Sequence, residues 1–218
     1  MANRPGKVYS ARMNTREPLL KPVAIADLRP TQITVGIREV DQKRKHFRSL
    51  AVENEGAFLG RHMIPSVLGP KNLHYIIDNH HLARALHDEG VEHVLVTVAA
   101  DLSALSKASF WTYLDNRSWC HPYDDNGRRR DFSAIPTSVA KLSDDPYRSL
   151  AGNLRHLGGF AKDTAPFSEF LWADFFRARI KPKALTENFD RALQRALVIA
   201  KSDDATYLPG WCGPDPIG

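Results

Sequence analysis

Cysteine is nearly missing: Cys120 and Cys212 are the only two in 218 residues. A disulfide-held scaffold is excluded, and the expected compartment is the reducing cytoplasm. No apolar run approaches the roughly 20 residues of a membrane-spanning helix, so no membrane partner is expected. Met1 to Ser10 has no continuous apolar core, which speaks against a secretory signal. Neither an HExxH pattern nor a close cysteine pair occurs, so a structural zinc site is not expected. Internal repeats are absent. With 13 Gly and 14 Pro the chain is neither collagen-like nor of low complexity.

What remains is a globular composition, 43% hydrophobic and 25% charged, of a length that suits one compact domain or one domain with a sizeable extension. The net charge of +5 is unevenly spread. Residues 1–50 carry 11 Lys and Arg against 4 Asp and Glu, whereas residues 51–100 carry 3 against 6. The basic quarter, with Lys43-Arg44-Lys45, reads either as a solvated face or as a surface for the phosphates of a nucleotide or nucleic acid. Six of the nine histidines fall between His62 and His93.

The pattern predicts a basic irregular arm over 1–20 and short strands at Pro22 to Ile25 and Ile33 to Val35. A polar helix is expected from Glu39 to Phe47, then a Gly/Pro-rich loop region over 53–70. The clearest unit is strand–helix–strand over 73–98: the apolar run Leu73 to Ile77, a helix from His81 to Glu89 stopped by Gly90, and the β-branched run His93 to Val98. Asp78 or Asn79 is the expected helix cap. Beyond residue 100 the chain turns helical. Asp101 is expected to cap one segment, 116–145 is irregular, Asp145-Pro146 opens a helix closed by Gly158-Gly159, and Pro166 to Ile180 and Thr186 to Ala200 follow. The expected organisation is an α/β unit over 21–100, a helical extension over 101–205 and a Pro/Gly-rich tail over 206–218.

Asp78-Asn79-His80-His81 sits where a strand ends and a helix begins. The first helical turn offers unpaired amides and partial positive charge, a ready anion site, and phosphate is the usual anion. Two histidines add donors that are charged or neutral near physiological pH. Asp78 facing a phosphate directly would repel it, so its expected role is to hold a bridging divalent cation or to cap the helix and orient His80 or His81. The plain alternative is a capped helix with two surface histidines. Elsewhere, Trp119 to Asp124 reads as a loop that can line a pocket, Arg128-Arg129-Arg130 as a solvated loop or phosphate contact, Phe167 to Phe176 as core, and Asp144-Asp145 as a cap.

Tyr75-Ile76-Ile77-Asp78-Asn79-His80-His81, its helix, Gly90 and the Val-rich strand resemble the characteristic turn of the ParB/sulfiredoxin superfamily. The nearest form is the Asp-Gly-His-His-Arg turn of its free-serine kinases. Leu28-Arg29-Pro30-Thr31-Gln32, Val35-Gly36 and Glu39-Val40 are most similar to the ParB-like nuclease family. Asp145-Pro146-Tyr147-Arg148, Gly158-Gly159-Phe160 and Phe167 to Arg177 extend that similarity over most of the chain. The resemblance implies an α/β fold with a small mixed sheet and helices, followed by a mainly helical half. It also implies a nucleotide-phosphate site at the turn: Asp78, His80, His81 and Glu39 catalytic; Asn79, His80, His81, Arg84 and Arg29 holding ATP or another nucleoside phosphate; Asp78 holding magnesium. Gln32, Lys43, Tyr123, Asp124 and Arg128 are the expected substrate contacts. Three departures bear on the activity. No cysteine stands in the turn, as it does in sulfiredoxins. Gln32 occupies the place of the kinase base. Leu82 replaces the kinase turn's arginine. The expected function is nucleotide-dependent phosphoryl transfer to a small molecule, the alternatives being a metal-dependent nuclease and a non-catalytic nucleotide- or DNA-binding protein.

Overall fold

The computed structural model describes residues 20–214, so the expected basic arm, but for residue 20, and the last four residues of the expected tail lie outside the described residues. Strand β1 spans Leu20–Ala24, β2 Thr34–Val35, β3 Ile64–Gly69, β4 Leu73–Ile76, β5 His93–Asp101 and β6 Ser143–Asp144. Helix α1 spans Ile37–Arg61, α2 His80–Asp88, α3 Lys107–Asn116, α4 Pro146–His156, α5 Ser168–Arg177, α6 Pro182–Glu187 and α7 Phe189–Ala200. The result is the mixed α/β architecture expected. Among the described residues no helix is long and apolar enough to cross a membrane.

The main sheet has the order β1-β5-β3-β4, with β1 and β4 antiparallel to their neighbours and β3 parallel to β5. The strand–helix–strand unit is present, but β3 lies between its two strands. Alternation assigns the faces. Ile76, Val94 and Val96 join Leu28, Val40 and Leu86 in a core under α1 and α2, while Tyr75 and Ile77 turn to the opposite face with Phe110 and Leu114. Ser66 pairs with Val98, yet Leu68 pairs with Asp101, so β5 carries one extra residue there. Such a bulge reverses the parity of the residues beyond it and sends Ala100 to the second face. A third core joins α4, α5 and α7 around Leu150, Leu154, Trp172 and Phe176.

Three sequence expectations are corrected. Residues 53–61 continue α1 instead of forming loop, and 64–69 is a strand. Gly60 has open space where a Cβ would stand, and Phe47 and Phe58 anchor this helix to the core, so packing overrides the glycine signal. Asp101 ends β5 rather than capping a helix; Ser106 caps α3, accepting from the Ser109 amide. The aromatic helix begins at Ser168 behind Phe167 in left-handed conformation (φ 58°), and α6 precedes α7.

The segment 29–36 ties β4 to the later part of the chain, and the cores also mix the two, Val139 and Leu142 joining the one under α1 and α2. Arg29 donates its N–H to His74 O and accepts from Ile76 N–H, both at 2.9 Å, so the segment runs along the outer edge of β4. Further on, β2 pairs in parallel with β6, and Asp144 Oδ1 accepts from Ile37 N–H at 2.9 Å. Gly36 makes this close approach possible: a Cβ there would lie 2.7 Å from both N and Oγ of Ser149.

Candidate functional site

The end of β4, the start of α2, the 29–36 segment, α1, α4 and the start of α5 enclose a cleft of about 650 Å³. Gln32, Glu39, Lys43, Asp78, Asn79, His80 and His81 all line it, so the structure gathers seven of the expected site residues. Arg29, Arg84, Tyr123, Asp124 and Arg128 do not line it. Arg29 donates to Thr137 O. Arg84 is held by Asp88 at 3.0 Å and by Leu142 O at 2.7 Å. The Asp124 carboxylate closes its own loop, accepting from the Asn126 and Arg128 amides and from Arg130. Tyr123 stacks on His121.

Asn79 is the N-cap of α2, in left-handed conformation at φ 61°. It caps with its backbone, its carbonyl accepting from Ala83 N–H at 2.9 Å, while its side-chain amide donates to Met63 O at 3.3 Å. No side chain caps the first turn, so its amides lack the partner an Asp or Ser cap provides. Asp78 is exposed, and one of its oxygens accepts from the Asn79 amide at 2.7 Å.

Both imidazoles are buried and are fixed by backbone donors. His80 Nε2 accepts from Thr31 N–H at 3.0 Å, and His81 Nε2 accepts from Gly36 N–H at 2.9 Å. An amide can only donate, so each Nε2 is unprotonated and each neutral ring carries its proton on Nδ1. Burial pushes the His80 pKa down to about 3, helped by His81 and His121. Burial also takes His81 to about 3, with Arg148 and Lys43 adding to the drop against the pull of Glu39. The two histidines are therefore neither surface residues nor cations. They pin α2 to the 29–36 segment while each offers Nδ1–H as a neutral donor.

Glu39 is buried from the α1 side. Its Oε2 lies 2.9 Å from Arg148 Nη1 and 3.8 Å from His81 Nε2. Burial opposes its charge, but the cations Arg148, Lys43 and Arg155 outweigh burial and hold the carboxyl below its ordinary 4.5. It is ionised at neutral pH and a weak base. Gln32, also buried, donates its side-chain amide to Thr34 O at 2.6 Å, which leaves its Oε1 as an acceptor. Among the described residues no three His, Cys, Asp or Glu side chains converge to hold a metal ion.

The rest of the cleft lining was not expected from sequence, apart from Trp119, which belongs to the loop read as able to line a pocket. That lining includes Arg148 and Arg155 of α4, Lys162, Trp119, Phe167 and Phe170. Asp145 is the cap expected, accepting from Tyr147 N–H at 2.9 Å. The available signal was the spacing of Arg148 and Arg155, seven residues and two turns apart on one face. His121 packs between Tyr123, Phe167 and Phe170.

A family model described as "Putative ParB-like nuclease" matches residues 21–178. Among solved structures, protein Atu1540 from Agrobacterium tumefaciens is similar at 52% sequence identity and a TM-score of 0.85, over 90% of this chain and 99% of that one. No curated protein matches the chain.

Proposed function

Since the chain belongs to the ParB-like nuclease family, we propose that its cleft binds a nucleoside phosphate, with ATP as the test ligand, and passes a phosphoryl group to a small molecule. The observation carrying this reading is the pairing of a helix start that lacks a side-chain cap among the described residues with two imidazoles fixed as Nδ1–H donors, all lining one cleft. Amides and neutral imidazoles stabilise phosphate oxygens without spending a protein charge, and a helix start favours the anion.

Asp78 leaves one carboxylate oxygen uncommitted beside that anion. One carboxylate plus phosphate oxygens and water suits magnesium, which seldom uses an all-protein cage. Magnesium bound there would neutralise charge on the phosphates. The chain's own residues do the rest. Helix amides, His80 and His81 orient the transferred group. Gln32 Oε1 accepts a hydrogen bond from the acceptor hydroxyl. Glu39 keeps Arg148 in place rather than taking a proton. The acceptor oxygen bonds to the terminal phosphorus as the bond to the bridging oxygen breaks; the nucleoside diphosphate leaves, and the hydroxyl proton passes to solvent.

A second reading, phosphodiester hydrolysis in nucleic acid, is favoured by the description of the family and by the basic first 50 residues. The test is a thermal-shift and product screen with ATP and magnesium, on wild type and Asp78→Ala. A ligand at 100 times its Kd adds about 2.7 kcal/mol of stability. The proposal expects stabilisation by ATP and nucleoside diphosphate formation that Asp78→Ala abolishes. Salt-sensitive, metal-dependent DNA cleavage without nucleotide would establish the second reading. Binding without turnover would mark a nucleotide-binding protein, and no response to any nucleoside phosphate would refute the phosphate site.

A further inference from the structure

Two guanidinium groups in the cleft lining have donors to spare. The Arg148 side chain is 7% exposed. Its Nη1 reaches Glu39, but its Nε is sealed from solvent and has no acceptor among the described residues. The Nε of Arg155 also lacks a hydrogen-bond acceptor among them, although Glu169 Oε1 stands 3.3 Å away as an ion pair. Lys43, one turn beyond Glu39 on α1, lines the same cleft half-buried and makes no contact ion pair among the described residues. A buried donor without an acceptor is costly, and arginine cannot escape the cost by losing its proton. Such groups have hydrogen-bonding capacity that no described residue fills. Arg148 brings a guanidinium, always charged, to the cleft lining, and Lys43 adds a point charge. The acid nearest to them, Glu39, engages one nitrogen of Arg148 at 2.9 Å and forms no ion pair with Lys43 among the described residues.

We propose that Lys43, Arg148 and Arg155 bind the anionic group, carboxylate or phosphate, of the molecule that accepts the phosphoryl group. This rests on the phosphate site at the start of α2 and adds the substrate class: a small acid or phosphate ester bearing a hydroxyl. Glu39 bridges the two positions, touching Arg148 on one side and lying 3.8 Å from His81 on the other, so both ends fit within one small molecule's reach of each other.

Calorimetric titration of the full chain with malonate, and separately with inorganic phosphate, tests this in wild type, Lys43→Gln, Arg148→Lys and Asn79→Asp. At least one anion binds wild type. Lys43→Gln and Arg148→Lys weaken that binding about tenfold or more, as expected for a lost charge-assisted contact. Asn79→Asp, which sets a carboxylate at the helix start, leaves the Lys43-dependent binding in place while weakening ATP. Malonate alone identifies a carboxylate ligand; phosphate alone identifies a phosphate ester. The inference is overturned if neither anion binds, if Lys43→Gln binds as wild type does, or if Asn79→Asp removes the binding. That last result leaves the helix-start site standing, whereas anion binding without ATP binding sinks the helix-start reading and spares this one. Should Arg148→Lys not fold, Lys43→Gln decides.

Discussion

Acid should unfold this protein earlier than its carboxylates alone would dictate, because three imidazoles are buried neutral. His80, His81 and His121 each fall from an ordinary 6.5 to about 3 in the fold. Burial is the main cause in each; standing cations reinforce it for two of them, Arg148 and Lys43 beside His81 and Arg148 and Arg177 beside His121, while His80 has the other two imidazoles as neighbours. Only His81 feels an opposing carboxylate, that of Glu39. The sign comes from proton counting. Below 6.5 the unfolded chain binds protons at these positions and the folded chain does not, so stability falls as pH drops and keeps falling toward 3. At pH 5.5 each ring costs about 1.4 kcal/mol, and the three together about 4 kcal/mol. That is a large share of the typical 5–15 kcal/mol of a folded domain, on the order of the whole margin at its lower end. Glu39 contributes outside this window, losing its share only between 4.5 and about 2. Urea unfolding at pH 7.5 and 5.5 measures the effect. In His80→Gln/His81→Gln the side-chain oxygens can still accept from Thr31 and Gly36 but do not titrate, so the loss shrinks to about 1.4 kcal/mol. A wild-type loss below about 1 kcal/mol, or an equal loss in the double variant, would refute the reasoning.

Gly36→Ala drives a methyl into Ser149, whose N and Oγ lie 2.7 Å from the new Cβ. Overpacking of this kind costs about 1–3 kcal/mol, read from the urea midpoint, and an unchanged midpoint would show that α1 and α4 are free to separate. The two thiols should differ in reactivity. Cys120 is buried and pushed up to about 12, by burial first and then by Asp115, whereas Cys212 is exposed. A disulfide reagent should label one thiol per native chain and the second only after denaturation; fast labelling of both would contradict the burial of Cys120.

The helix start was legible because its determinants are local: an Ile-Ile strand end, an Asp-Asn corner, an Ala/Leu face and Gly90 at φ 77°. What the histidines do there was not, since their partners are amides 45 to 49 residues away and their charge state depends on burial. Glu39 was visible as a carboxylate near the resembling segment, but the arginine that makes it a fixed anion lies 109 residues on. Pro65 hid β3, reading as a breaker. In the fold its carbonyl accepts from Ile77 N–H at 2.9 Å while it pairs with Thr97, so the sheet uses the group that proline retains. The Gly/Pro signal likewise cut α1 short, because the aromatic anchoring that sustains it is tertiary.

Gly36 has a dual tie that bears on how an occupant would be felt. Its amide is the hook for the His81 ring, and the same residue is where α1 departs, three positions ahead of Glu39 and seven ahead of Lys43. Swinging that imidazole off its hook releases the root of α1. The front and back of the cleft are thus yoked, and a pull exerted on one is delivered through a single peptide to the other.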